Sequence, residues 1–225
     1  MSVEPYEAWL DGDQLICIKH TMTPAARDAV LKSALYFQLY ASTKVERLSD
    51  PHAWFHKFED VTRNFGWQVV ERGEYASKPT AFDLNGYLVG FDTAGTVATI
   101  AGLQWLFARQ ASHAPLPELL QWARQSRAGD DVVLMLGNAH GDGRLDTLMI
   151  NFKVAGASVE ELLCQDVEPL AIQGEVNLSW LCSEPHPLLF PRFQPVIEQR
   201  LAKRIDQAPV LVDMSAWAKV EGDHV

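Results

Sequence analysis

The chain has 225 residues, enough for one medium domain or two small ones with a real core. With 48% hydrophobic and 21% charged residues it has the balance of a globular protein, which excludes extended disorder. A formal net charge of -10 repels phosphate, so nucleic acid is not expected as a partner, nor docking on an anionic leaflet by charge alone.

The N-terminal Met1-Ser2-Val3-Glu4-Pro5 is acidic and has no apolar core. No secretory leader is expected, and a cytoplasmic location is the default, with leaderless export left open. Gln14 to His20 alternates as a short strand. Thr23-Pro24 then opens a helix, Thr as N-cap and Pro at the first helical position. Its apolar stripe (Val30, Ala34, Phe37, Ala41) carries the expectation to about Leu48. Ser49-Asp50-Pro51 repeats the start signal. Trp54, Phe58, Val61 and Phe65 form a second stripe, and Gly66 is the natural stop. Trp67 to Val70 reads as a strand that Tyr75 to Lys78 extends. Phe82 to Phe91 matches helix spacing but carries Asn85-Gly86 and Gly90, so it stays ambiguous.

Residues 93–108 contain no charge and read as a helix buried on nearly every side. A further helix is expected from Leu116-Pro117-Glu118 to Gly129, with Leu119, Leu120 and Ala123 inward and Trp122 flanking. Near Gly129 the pattern turns to strands: 132–136 and 147–154, joined by a Gly-, Asn- and Asp-rich hairpin loop, then 170–182. After a Pro-rich passage, Phe193, Ile197, Leu201 and Ile205 mark a last helix. Val210-Leu211-Val212 is a final strand, and Met214 onward reads as a loose tail. The expected fold class is α+β: a helical N-terminal half packed with a mainly antiparallel sheet contributed largely by the C-terminal half. No flexible spacer is visible, so a single unit over 1–225 is expected, with a sub-boundary near 129 as the alternative.

Motifs that carry chemistry are few. His52 and His56 stand four apart on one helix face, a spacing that grips a divalent metal, with Glu59 or Asp60 as candidate third ligands. The zinc-protease motif needs Glu directly after the first His, and Ala53 stands there. Asn138, His140 and Asp142 alternate like calcium ligands, but Met149 occupies the place of the terminal bidentate Glu, so an ordinary hairpin turn is favoured. Cys17, Cys164 and Cys182 have apolar neighbours and no CxxC spacing, so three reduced, buried thiols are expected. Cys182 and His186 lie close in sequence, with prolines between and around them, and make a weak dyad. No nucleotide cradle occurs, and no cofactor is expected.

The run from Ala41 to Arg47, with Asp50-Pro51, Trp54, Phe58, Val61 and Gly66-Trp67, resembles a signature of bacterial proteins; no activity is carried over from it. The expected function is a non-catalytic protein-interaction or assembly component of a bacterial system, with a protein partner or self-association. The expected contact residues are His140, Asp142 and Arg144 on the hairpin loop, together with Trp67 and Trp122, since aromatic side chains concentrate at binding hot spots. Trp9, Tyr36 and Tyr40 share that reasoning. Two alternatives stand beside it. One is a membrane-acting effector or toxin component using the apolar segment 93–108. The other is a metal-dependent hydrolase built on His52 and His56.

Overall fold

In the computed structural model, residues 6–78, 84, 88, 101–110, 116–154, 156, 172–204 and 208–214 are described. The eight described strands are β1 (Tyr6–Asp11), β2 (Gln14–Lys19), β3 (Trp67–Ser77), β4 (Arg127–Ala128), β5 (Asp131–Ala139), β6 (Leu145–Val154), β7 (Ile172–Pro185) and β8 (Val210–Leu211). They form one sheet in the order β3-β7-β6-β5-β2-β1-β8, with the short β4 beside β5. All pairs are antiparallel except β2 and β5, which run parallel from Gln14↔Met135 to Ile18↔Ala139. The described helices are α1 (Pro24–Ser42), α2 (Pro51–Asn64), α3 (Ala101–Gln110), α4 (Pro117–Gln125) and α5 (Phe190–Leu201). The fold is α+β, with helices concentrated in the N-terminal half and a mainly antiparallel sheet drawn largely from the C-terminal half. Strands from both sides of residue 129 share that one sheet.

Both faces of the sheet are covered over β5, which explains its near-continuous apolar run. Val132, Leu134 and Leu136 pack with α3 and α4 through Leu103, Leu106, Phe107, Leu119 and Trp122. The alternate residues Val133 and Met135 pack with α1, α2 and α5 through Phe37, Trp54, Phe58 and Ile197. A strand with a core on each side needs no polar face. β2 divides the same way, Leu15 and Cys17 to one core, Ile16 and Ile18 to the other.

The helix starts follow their caps. The Thr23 side chain accepts from Ala26 N at 3.2 Å and the Asp50 side chain from Ala53 N at 3.0 Å. The aromatic stripe of α2 is core: Trp54 stacks on Phe58, and Phe37 of α1 meets Phe58 and Trp67 edge-on.

Several expectations are corrected. Helix α1 stops at Ser42 rather than near Leu48. Thr43 Oγ1 donates to Tyr40 O at 2.7 Å, and Arg47 turns inward to donate to Val133 O at 2.7 Å. A guanidinium bound to a buried strand carbonyl outweighs the weak preference of residues 43–48 for helix. β1 is a strand that the sequence reading missed. It forms a two-residue hairpin with β2 in which Gly12 takes the positive φ of 61°. Helix α4 ends at Gln125; Trp122, expected to flank the core, is fully inside it, while Leu120 is partly buried and packs against it. Of the apolar segment 93–108, residues 93–100 lie outside the described ones. The rest belongs to α3, which is buried on one side only: Leu103, Leu106 and Phe107 are buried while Ala101 and Ala108 are exposed. The ambiguous 82–91, Cys164, and the tail beyond Met214 also lie outside, apart from Leu84 and Leu88, which are helical and buried.

Candidate functional site

The helices α1, α2 and α5 do not cover the whole of their face of the sheet. Beneath them, β6 and β7 present Met149 and Leu181. Two and four residues further along the same faces come Asn151, Ser179 and Asn177, because side chains repeat every second residue on one face. Asn151 and Asn177 oppose each other in the ladder, and Asn177 Nδ2 donates to Asn151 Oδ1 at 3.3 Å. Here the sheet changes from an apolar floor to a polar shelf. The shelf floors a groove of about 510 Å³ walled by Pro51 and His52 at the start of α2, and by Glu74 and Tyr75 of β3. Tyr75 stands 57% exposed on the strand that ends the described sheet.

On the rim of this groove three metal-ligating side chains converge. Pro51 and the Asp50 cap fix the first turn of α2, so His52 and His56 project one turn apart. Their Nε2 atoms lie 3.3 Å apart. Glu74 arrives from β3, where the ladder pairs it with Ser179. Its Oε2 is 3.3 Å from His52 Nε2, and its Oε1 3.5 Å from His56 Nε2. All three side chains are exposed. Glu59, the ligand expected from sequence, is not among them. It is buried and occupied by Arg63 at 2.8 Å and Arg72 at 2.8 Å. Burial alone would raise the Glu59 carboxyl, but the hydrogen bonds from both arginines outweigh it and hold it below the usual carboxylate range. Asp60 is paired with Lys57 instead.

The loop between β5 and β6 is the hairpin expected, closed by His140 N to Arg144 O at 2.9 Å, with Gly143 at φ 93°. Its side chains divide. Asp142 is exposed, and its Oδ1 accepts from Arg144 N at 3.1 Å. His140 and Arg144 are half-buried and turned toward Asp146, which is fully buried: His140 Nε2 lies 2.7 Å from Asp146 Oδ2, and Arg144 Nε 3.6 Å from Oδ1. Asn138 Oδ1 accepts from Gly102 N at 3.0 Å, so it holds α3 against the sheet rather than ringing a cation. Cys182 lies beside this cluster. Burial first, then the Asp146 carboxylate, push its thiol up to about 12, and burial raises the Cys17 thiol further. Neither is a thiolate nucleophile at neutral pH. The weak Cys182–His186 dyad is not supported either, since the extended end of β7 separates the two residues by about 13 Å at about 3.3 Å per residue.

The two tryptophans named as contact residues belong to the interior. Trp67 is 3% exposed, edge-on to Phe37 and Phe190. Trp122 is 1% exposed, and its indole N–H donates to Asp13 O at 3.0 Å. Tyr36 is buried as well, while Tyr40 is exposed and Trp9 half-buried. An aromatic side chain says how much surface it can bury, and only the fold says whether that surface is core or interface.

One buried acid is energetically costly. Asp11 is fully buried, and neither carboxylate oxygen has a hydrogen-bond partner among the described residues. Burial raises its pKa well above the ordinary value. A raised folded-state pKa means the native protein holds the proton more tightly than the unfolded chain. Its effect on stability is therefore absent below the unfolded carboxyl's range and becomes increasingly unfavourable as pH rises. Asp11→Asn is expected to stabilise the protein at pH 7.5 by about 1–2 kcal/mol, and the gain should shrink toward pH 4.5. Urea midpoints of both proteins across that range check it; a constant difference would contradict the assignment.

No family model matches the chain, and no curated protein matches it in sequence. Among solved structures, the chain is similar to one titled delta-endotoxin, with a TM-score of 0.43 and 10% identity over 78% of this chain and 84% of that one. It is also similar to the Evf virulence factor, with a TM-score of 0.39 and 12% identity over 88% of this chain and 85% of that one.

Proposed function

We propose that the chain is a non-catalytic binding protein that meets a protein partner over the polar shelf and the outer strand β3. The single observation that carries this reading is the groove itself: half-buried amides of Asn151 and Asn177 on its floor and an exposed Tyr75 on its wall. Side-chain amides offer both donors and acceptors to an extended backbone. An exposed tyrosine beside them supplies rigid apolar area with a polar tip, the residue type that anchors interfaces. A strand at the end of a sheet adds the geometry by which extended segments dock. Among the described residues no helix is long and apolar enough to cross a membrane, and α3 spends its apolar face on the sheet.

Photo-crosslinking residues placed singly at Tyr75, Asn177, Asp142 and Glu198 test the reading in the producing cells. The same protein should be captured from positions 75 and 177, and not from 198 on α5. Capture from 142 alone would move the interface to the hairpin loop. Equal capture from all four positions, or none, would end the proposal.

A further inference from the structure

We propose that His52, His56 and Glu74 form a binding site for a divalent transition metal of the zinc class. The argument is geometric. Two donors each 2.0–2.1 Å from a tetrahedral zinc stand about 3.3–3.4 Å apart. The two Nε2 atoms are 3.3 Å apart, and the nearer carboxylate oxygen is 3.3 Å from His52 Nε2. Both edges match a tetrahedral ion, and the remaining contact, His56 Nε2 to the other carboxylate oxygen, is 3.5 Å, so a small turn of the exposed Glu74 side chain brings one oxygen to both histidines.

The alternative is a surface hydrogen-bond group, and it explains the arrangement poorly. His52 Nε2 faces both the Glu74 carboxylate, which can only accept, and His56 Nε2, which itself lies 3.5 Å from the other Glu74 oxygen; if both nitrogens donate to Glu74, their own contact at 3.3 Å is no hydrogen bond. Exposed pairs of this sort contribute little to stability. Yet each donor is held in place by an element that fixes it: the capped first turn of α2 for the histidines, the β3–β7 ladder for Glu74. Arg72, two residues before Glu74 on β3, spends its hydrogen bond on Glu59 at 2.8 Å and acts on Glu74 through charge alone. The site is reachable, with His52 64%, His56 42% and Glu74 49% exposed.

Two imidazoles and one carboxylate suit zinc, and also nickel or copper by the usual order of affinities. A tetrahedral ion held by three protein donors keeps a fourth position facing solvent. Since His52 and Glu74 also wall the groove, that position opens at its rim, where an acidic or imidazole side chain of a bound protein would complete the shell. The ion would also link α2 to β3 in the native state only, so binding raises Tm.

The full chain without a polyhistidine tag, stripped with chelator and titrated with zinc chloride by calorimetry at neutral pH, tests the site. One equivalent should bind. His56→Ala and Glu74→Gln should each weaken binding by at least about tenfold, because each removes one of three protein donors. His20→Ala should bind as the parent does. The altered side chains are exposed, and circular dichroism confirms that each variant folds. Cobalt supplies a second reading: the parent should give the intense visible bands of a tetrahedral ion, and Glu74→Gln should lose them. Binding far below one equivalent, or binding untouched by both substitutions, overturns the proposal. The outcome is independent of the crosslinking result, since zinc titration needs no partner.

Discussion

Replacing Trp122 with alanine is expected to destabilise the protein by about 3–5 kcal/mol, the usual cost of removing a large aromatic side chain from a packed interior. Trp122 sits on α4 at 1% exposure, in the core formed by α3, α4 and one face of the sheet. Its indole N–H also satisfies the carbonyl of Asp13 in the β1–β2 turn, so the substitution leaves a void and an orphaned acceptor together. Trp122→Phe separates the two contributions: it keeps most of the volume and loses the hydrogen bond, and about 1–2 kcal/mol should be lost. Denaturant unfolding measures both. A Trp122→Ala protein within 1 kcal/mol of the parent would mean that the indole is not core.

The second large effect is at Gly66. It follows α2 with φ 80°, and a Cβ there would lie 2.9 Å from the backbone N and Cα of Phe190 and 2.8 Å from the Phe193 ring. The carbonyl of Gly66 accepts from His186 N at 2.9 Å, so the turn is pinned between the start of β3 and the approach to α5. Alanine must adopt a left-handed backbone and displace another segment's main chain at once. We expect a loss of about 3 kcal/mol or more, from strain and overpacking together. Gly129 is the control, because its φ is 63° but no atom lies within 4 Å of its Cβ position. Gly129→Ala should cost only the conformational part, about 1–2 kcal/mol. If the two substitutions prove equal, the close approach of α5 to Gly66 is not what fixes the turn.

The parts of the fold that could be read from the sequence are those encoded locally. The Thr23-Pro24 and Asp50-Pro51 starts, the Gly66 stop and the 140–144 hairpin each rest on backbone chemistry within a few residues. What could not be read depends on contacts far along the chain. Helix α1 looked continuous to Leu48 because its residues favour helix; the carbonyl of Val133, 86 residues from Arg47, diverts the segment. Asp11-Gly12 was a turn signal in plain view, and β1 was missed because Glu7 and Asp11 interrupt its apolar pattern. The His52–His56–Glu74 cluster was half readable. His52 and His56 follow from helical spacing, and Glu59 was the natural third donor on that helix. The residue that completes the trio is Glu74, 22 positions from His52, brought there by the sheet. Trp67 and Trp122 were assigned to a surface because no local pattern distinguishes a ring that meets a partner from a ring that meets its own core.

The central parallel pair has a kinetic consequence. Gln14 Nε2 reaches the carbonyl of Leu136, 122 residues away, and β3 finds β7 only after Pro185 has been made. The N-terminal strands β2 and β3 therefore wait for partners made in the second half of the chain. Loop-closure entropy must be met before those ladders return anything, so refolding from denaturant should be slow for a chain of this length. Until β5 arrives, β2 carries an unpaired apolar edge, and early chains depend on dilution or a chaperone to keep that edge from pairing with a neighbour.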